Sequence, residues 1–335
     1  HGAQRREFPF CLGTVVLLLG LAFACPRPCS SQNLTADGLK ARFAELGLQG
    51  FAPGVEYSPV VEGLEIPTAP VASADRCPSE WDAVCSEWAR RLGGYPRYAA
   101  FMEGRSRLFQ FADSSWFHNE GVLASYDAVE GGILLNLSPL REMAEQLRKQ
   151  GVKPDALLRI IALKTLPIIA HEIGHGIVFE ELQLAAGARF PAAFLEDEYL
   201  ATMESVAVLR DLAETEPEFL GPASRETERD GEYRKLLKRA RKGPKAVFDL
   251  VRRIYPDSAS LLSSSRESLL DQHRRAEDVQ RRYLSYYSSP NNPPAPLAVE
   301  IVERWHEKEL LVIKCLEDAD MFARVRAFYD RRVNL

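Results

Sequence analysis

Histidine and cysteine are both scarce, with six of each in 335 residues. The cysteines (Cys11, Cys25, Cys29, Cys77, Cys85 and Cys315) lack the spacing of a cysteine-based metal site, so they read as structural. A strong excess of either charge is also missing. The net charge is −5, which argues against general nucleic-acid binding. There is no internal repeat, and after residue 24 no apolar run long enough to cross a bilayer. Hydrophobic content of 46% and charged content of 27% are ordinary for a soluble globular protein, and the chain is long enough for one large core or two lobes.

The early residues carry an address. Arg5 and Arg6 precede a 14-residue apolar stretch, residues 11–24, which ends in Ala22-Phe23-Ala24. A basic region, an apolar core and an A-x-A site read as a secretory signal peptide over residues 1–24, too short for a comfortable span. The Arg5-Arg6-Glu7-Phe8 run also hints at twin-arginine export. The expected location is therefore the periplasm, the medium or the envelope. Cys25 is a candidate for lipidation and membrane attachment, although Ala22 and Phe23 depart from the usual lipoprotein pattern. With Cys25 lipidated, Cys29, Cys77, Cys85 and Cys315 form an even set, and Cys77 with Cys85 is the expected local disulfide.

One short stretch specifies chemistry: His171-Glu172-Ile173-Gly174-His175. On a helix, residues four apart stack on one face, so both imidazoles can reach a single metal ion. Glu172 is turned about 100° from His171, which puts its carboxylate beside a water on the metal rather than on the metal itself. H-E-x-x-H is the zinc metalloprotease pattern: two ligands and a general base on one helix. The preceding residues support a helix. Pro154 suits a first turn, Asp155 favours the positive end of the dipole, and apolar residues recur at helical spacing. Residues 160–170 are apolar enough for a buried helix, and Pro167 predicts a kink just ahead of the motif.

A catalytic zinc takes three protein ligands and keeps one position open. No histidine follows closely; the later ones are His273 and His306, and the metzincin position is Glu181. Residues 187–191 read as a turn, with Pro191 opening a second helix that carries Glu196, Asp197, Glu198 and Glu204. Glu198 falls on a stripe with Phe194, Ala201, Ser205, Val208 and Leu212, where a carboxylate needs a cation or a hydrogen-bonding partner. Small Ala201 and Ser205 would let the two helices approach closely. Asp197, Glu204 and Asp211 are seven apart and read as a solvated edge. Glu198 is therefore the expected third ligand, Glu204 the alternative, and Asp197 or Glu196 potential partners of the histidines. The bland reading pairs Glu198 with an arginine.

His171-Glu172-x-x-His175 followed by Glu198-x-x-Ala201 on the next helix resembles the gluzincin branch of the zincin metallopeptidases, over roughly residues 120–212. The resemblance implies a mostly helical α+β fold whose core is zincin-like, with a short mixed sheet packed on the motif helix. It implies zinc as cofactor, His171, His175 and Glu198 as ligands, Glu172 as general base, and a peptide or protein as substrate. It also implies an edge strand overhanging the metal. Residues 132–137, apolar and bounded by glycines and Ser138-Pro139, are the candidate, although a core strand fits equally. Family members often use a downstream His or Tyr at the oxyanion, and no motif identifies its counterpart here. Alternatives are a zinc amidase acting on cell-wall peptides, or a non-catalytic envelope binding or scaffold protein with a structural metal site.

The rest of the chain divides more coarsely. Residues 25–95 read as a wrapping or tether region, 96–215 as the catalytic core, and 216–335 as a C-terminal helical region broken by the Pro-rich loop 288–296. His118, among aromatics, is a candidate for assisting catalysis, with a structural histidine as the commoner reading. Residues 234–242 form a basic run. A solvated helix face balanced by nearby acids is the simpler account, and contact with anionic head groups or an acidic partner is the other.

Overall fold

The computed structural model describes residues 79–105, 108–112, 122–127, 131–187, 194–220, 227, 229–256, 258–287 and 296–333. The expected signal peptide, Cys25, Cys77 and His118 lie outside these residues.

A 3-10 turn, Ser79–Trp81, leads into helices α1 (Asp82–Leu92) and α2 (Pro96–Met102). Val84, Trp88 and Leu92 recur at helical spacing, and that stripe is what α1 buries. Strands β1 (Phe109–Ala112), β2 (Ala124–Asp127) and β3 (Gly132–Asn136) form a mixed sheet in the order β1-β3-β2. β1 runs parallel to β3 and β2 antiparallel to it. The apolar strand expected over residues 132–137 therefore exists but is central, with Ile133 and Leu135 fully buried; the edge role passes to β1 and β2. Asn136 ends the strand early. Its side-chain oxygen accepts the Ser138 N–H and caps α3 (Leu137–Lys149), so Leu137 is already helical.

Helix α4 (Pro154–Ala186) is the backbone of the molecule, 33 residues or about 50 Å long. It starts at Pro154, as the sequence predicts, passes through Pro167 as one helix, and stops at Gly187. Gly187 takes φ 69°, a left-handed cap that glycine adopts without strain. From Ile161 to Phe179 every residue is buried, so no amphipathic stripe marks this segment. Trp88 of α1 packs against it and donates its indole N–H to the Ala162 carbonyl (3.1 Å) and the Thr165 hydroxyl (3.0 Å).

Helix α5 (Leu195–Thr215) crosses α4, beginning at Leu195 rather than at the expected Pro191. Then come α6 (Pro217–Leu220), α7 (Asp230–Ala240) and α8 (Pro244–Ile254). Helices α9 (Arg266–Tyr287), α10 (Pro296–Glu317) and α11 (Ala319–Arg332) complete a mostly helical α+β fold. Two apolar cores meet at α4. The larger joins α1, α2, the sheet, α3, α5, α7 and α8 to its first two-thirds. The smaller packs Val178, Leu182 and Ala186 against Phe194, Leu261 and residues of α10 and α11. Among the described residues no helix is long and apolar enough to cross a membrane.

Candidate metal centre

The motif lies where α4 is buried on every side. His171 and His175, one turn apart, stand with ring centroids 4.6 Å apart and planes at 83°. Their Nε2 atoms are 3.0 Å apart. Glu198 reaches them from α5, its Oε2 lying 3.5 Å from His171 Nε2 and 3.7 Å from His175 Nε2. These three side chains are buried and offer ligand atoms within 4.8 Å of one another. Zinc bonded at about 2.0–2.1 Å in a tetrahedron would space its ligands about 3.3–3.4 Å apart, so the observed triangle is close to that of a metal site. Glu198 Oε2 is a buried acceptor without a hydrogen-bond partner, which is costly unless a cation faces it. The residues fit a metal ion.

Glycine lets the helices come this close. A Cβ on Gly174 would lie 2.9 Å from the Ala201 Cα, so a larger residue would force α5 away and withdraw Glu198. One turn further along α5, the Ser205 hydroxyl donates to the Pro167 carbonyl at 2.5 Å and ties the crossing together. On the opposite side, a Cβ on Gly176 would meet the Phe101 ring at 2.4 Å and the Tyr126 ring at 2.9 Å. The spaces in the motif are thus filled by α5 on one flank and by an aromatic wall on the other.

Three consecutive acids on α5 have three different tasks, because successive side chains are turned by about 100°. Glu196 accepts the Ser260 hydroxyl (2.5 Å) and the Leu261 and Leu262 N–H groups (2.9 and 3.2 Å), so it holds the segment before α9 and does not touch the histidines. Asp197 Oδ2 lies 2.7 Å from His175 Nδ1, fixing the ring so that Nε2 faces Glu198. Of the expected solvated edge, Asp211 is exposed, Glu204 is half-buried and Asp197 is buried. Asp197 is buried against His175, while Glu204 pairs with Arg97 and accepts the Tyr98 hydroxyl at 2.7 Å. Asp211 accepts the Tyr95 hydroxyl at 2.7 Å. Among the described residues Glu198 pairs with no arginine.

Glu172, fully buried, accepts the Tyr126 backbone N–H at 2.8 Å through Oε2. Tyr126 is on β2, so an outer strand of the sheet presents its main chain to the motif. The electrostatics follow from burial. It holds His171 well below the ordinary imidazole value, and His175 acts in the same direction. At His175 burial also opposes protonation, but the Asp197 and Glu198 carboxylates outweigh it and push the ring up to about 10. Burial raises Glu198 to about 8, against the pull of His175 and a hydrogen bond from Tyr255.

Comparison with family models, with curated proteins and with solved structures found no match to this chain. The site therefore rests on its own geometry.

His273 and His306 are elsewhere, paired with Glu309 (2.7 Å) and Glu277 (2.9 Å) between α9 and α10. Two participants were absent from the sequence reading. Tyr126 acts through its backbone, which leaves no trace in residue type. Tyr255 follows the last turn of α8, and nothing local distinguishes it from a core tyrosine.

Proposed function

We propose that this protein is a zinc-dependent metallopeptidase of the gluzincin type. His171, His175 and Glu198 would hold the ion. Two imidazole nitrogens and one carboxylate oxygen suit zinc, and three protein ligands leave one position open. The observation that carries the reading is the convergence of these three buried ligand atoms with the non-ligating Glu172 one residue along the same helix. The metal supplies Lewis acidity, stabilising charge on a carbonyl oxygen and acidifying water.

The chain's own residues supply the rest. Glu172 takes a proton from the attacking water and passes it to the leaving amine. The Tyr126 N–H orients that carboxylate through Oε2. Asp197 keeps His175 in the tautomer that presents Nε2. β2 borders the site as an outer strand, and an extended peptide laid along it would gain main-chain hydrogen bonds without sequence preference.

Glu172→Gln removes proton transfer without removing a ligand. The expected result is one bound zinc per chain, unchanged folding and peptide hydrolysis reduced by about two to four orders of magnitude. Zinc would be counted by elemental analysis and hydrolysis followed on a mixed peptide library. Wild-type turnover in the variant, or a wild-type protein with zinc but no hydrolysis of peptides or of cell-wall amides, would overturn the reading.

A further inference from the structure

We infer that the hairpin formed by α7 and α8 is a binding surface for anionic membrane lipid. Residues 234–253 contain nine Lys and Arg against a single acid, Asp249, although the chain as a whole is net negative at −5. The fold concentrates this charge. Tyr233, Leu236 and Ala240 of α7 and Val247, Phe248, Leu250 and Val251 of α8 turn inward, which leaves the cations outside. Lys235, Lys238, Arg241, Lys242, Lys245 and Arg252 are all exposed, and among the described residues no carboxylate forms an ion pair with any of them. The acids of α7 and α8 are Glu232, Asp249 and Asp230, the last paired with Lys164, so the hairpin keeps a net positive charge.

The kind of partner follows from what accompanies the charge. Every aromatic of the hairpin, Tyr233, Phe248 and Tyr255, is buried, so no ring is available to stack on a nucleic-acid base. Without an exposed large apolar side chain the surface adsorbs to head groups and does not insert. The sequence also contains the apolar stretch 11–24 followed by Cys25, an expected membrane-directing segment. On a lipid-anchored chain a polybasic patch adds electrostatic attraction to anionic head groups. Two to three residues beyond Arg252 and Arg253, Tyr255 hydrogen-bonds Glu198, so the surface is close in the chain to the metal centre.

The test is co-sedimentation of the full chain with vesicles of phosphatidylcholine alone or with about a third phosphatidylglycerol, at low and high salt. Each Lys or Arg near an anionic surface strengthens attachment about fivefold. Wild-type protein should partition more strongly onto the anionic vesicles, and about 0.5 M NaCl should remove that difference by screening. Neutralising four exposed cations together (Lys235→Gln, Lys238→Gln, Arg241→Gln and Lys242→Gln) should weaken the anionic preference at least about a hundredfold. The variant's circular dichroism and zinc content should stay unchanged. Equal partition onto neutral and anionic vesicles overturns the inference. So does an anionic preference retained by a folded variant, or retention on polyglutamate or duplex DNA without vesicle binding. None of these outcomes depends on peptidase activity.

Discussion

Glu198 Oε2 is 3.5 and 3.7 Å from the two Nε2 atoms, whereas the Glu204 carboxylate is held by Arg97 and the Tyr98 hydroxyl. Both acids are on α5, six residues apart, and only one is committed to the histidines. The difference predicts an order of metal affinity. Glu198→Ala removes a proposed ligand and should cost the most. Asp197→Asn keeps the shape but weakens the partner that orients His175, for an expected loss of about 10–100-fold. Glu204→Ala should leave affinity near wild type while loosening Arg97 and Tyr98. Competition with a chromogenic chelator ranks the three, and a larger loss for Glu204→Ala than for Glu198→Ala would move the ligand assignment.

At the scale of elements, the approach of α4 and α5 sets how near Glu198 comes, and Gly174 is the contact that permits it. In an exposed helix, Gly→Ala would stabilise by about 1 kcal/mol. Here the new Cβ meets backbone at 2.9 Å, which a side-chain rotation cannot relieve. Gly174→Ala should therefore destabilise by about 1–3 kcal/mol in urea unfolding and weaken zinc binding as well. A stabilised variant with normal zinc affinity would show that the helices can separate without moving Glu198. The ends of α4 were legible in the sequence because Pro154 and Gly187 are local signals with local causes. β3 was legible as a strand from its apolar run, but not as a central one. Its neighbours, Phe109–Ala112 and Ala124–Asp127, are four residues each and carry little pattern of their own. Spacing placed Glu198 on a buried stripe correctly and offered Asp197 as a partner of the histidines, yet also put Asp197 on a solvated edge. Helical phase marks a face of α5 but not what lies against it. The same limit hid Tyr126 and Tyr255, whose roles depend on where a strand and a helix end come to rest.

Across the whole molecule, both cores are built on α4, and two buried polar crossings brace it. Lys164 pairs with Asp230 at 2.6 Å and donates to the Phe219 carbonyl, fixing α6 and α7 to the helix two turns before His171. The candidate metal centre is the other crossing, tying α4 to α5. Without a cation, this second crossing contains groups whose protonation is set by folding, and the sign of their effect on stability can be worked out. Glu198 rises from 4.5 to about 8 and His175 from 6.5 to about 10, so the folded chain holds protons that the unfolded chain has released. Metal-free stability from these groups is then lost as pH rises, for Glu198 between about 4.5 and 8 and for His175 between about 6.5 and 10. His171 is lowered, so its effect appears only as pH falls below its ordinary value of 6.5. Between pH 6.5 and 8 the first two groups act alone, and both weaken the metal-free protein. Zinc bound as proposed would reverse the balance, because it requires Glu198 ionised and the imidazoles neutral at Nε2 and becomes a better competitor as protons grow scarce. Zinc at about 100 times its Kd adds about 2.7 kcal/mol through binding to the folded state alone. The gap in melting temperature between zinc-loaded and chelator-stripped protein should therefore widen from pH 6.5 to pH 8. Paired thermal scans at fixed free zinc measure it. A constant or narrowing gap would mean that Glu198 and His175 do not exchange protons for the metal, and the ligand set would have to be redrawn.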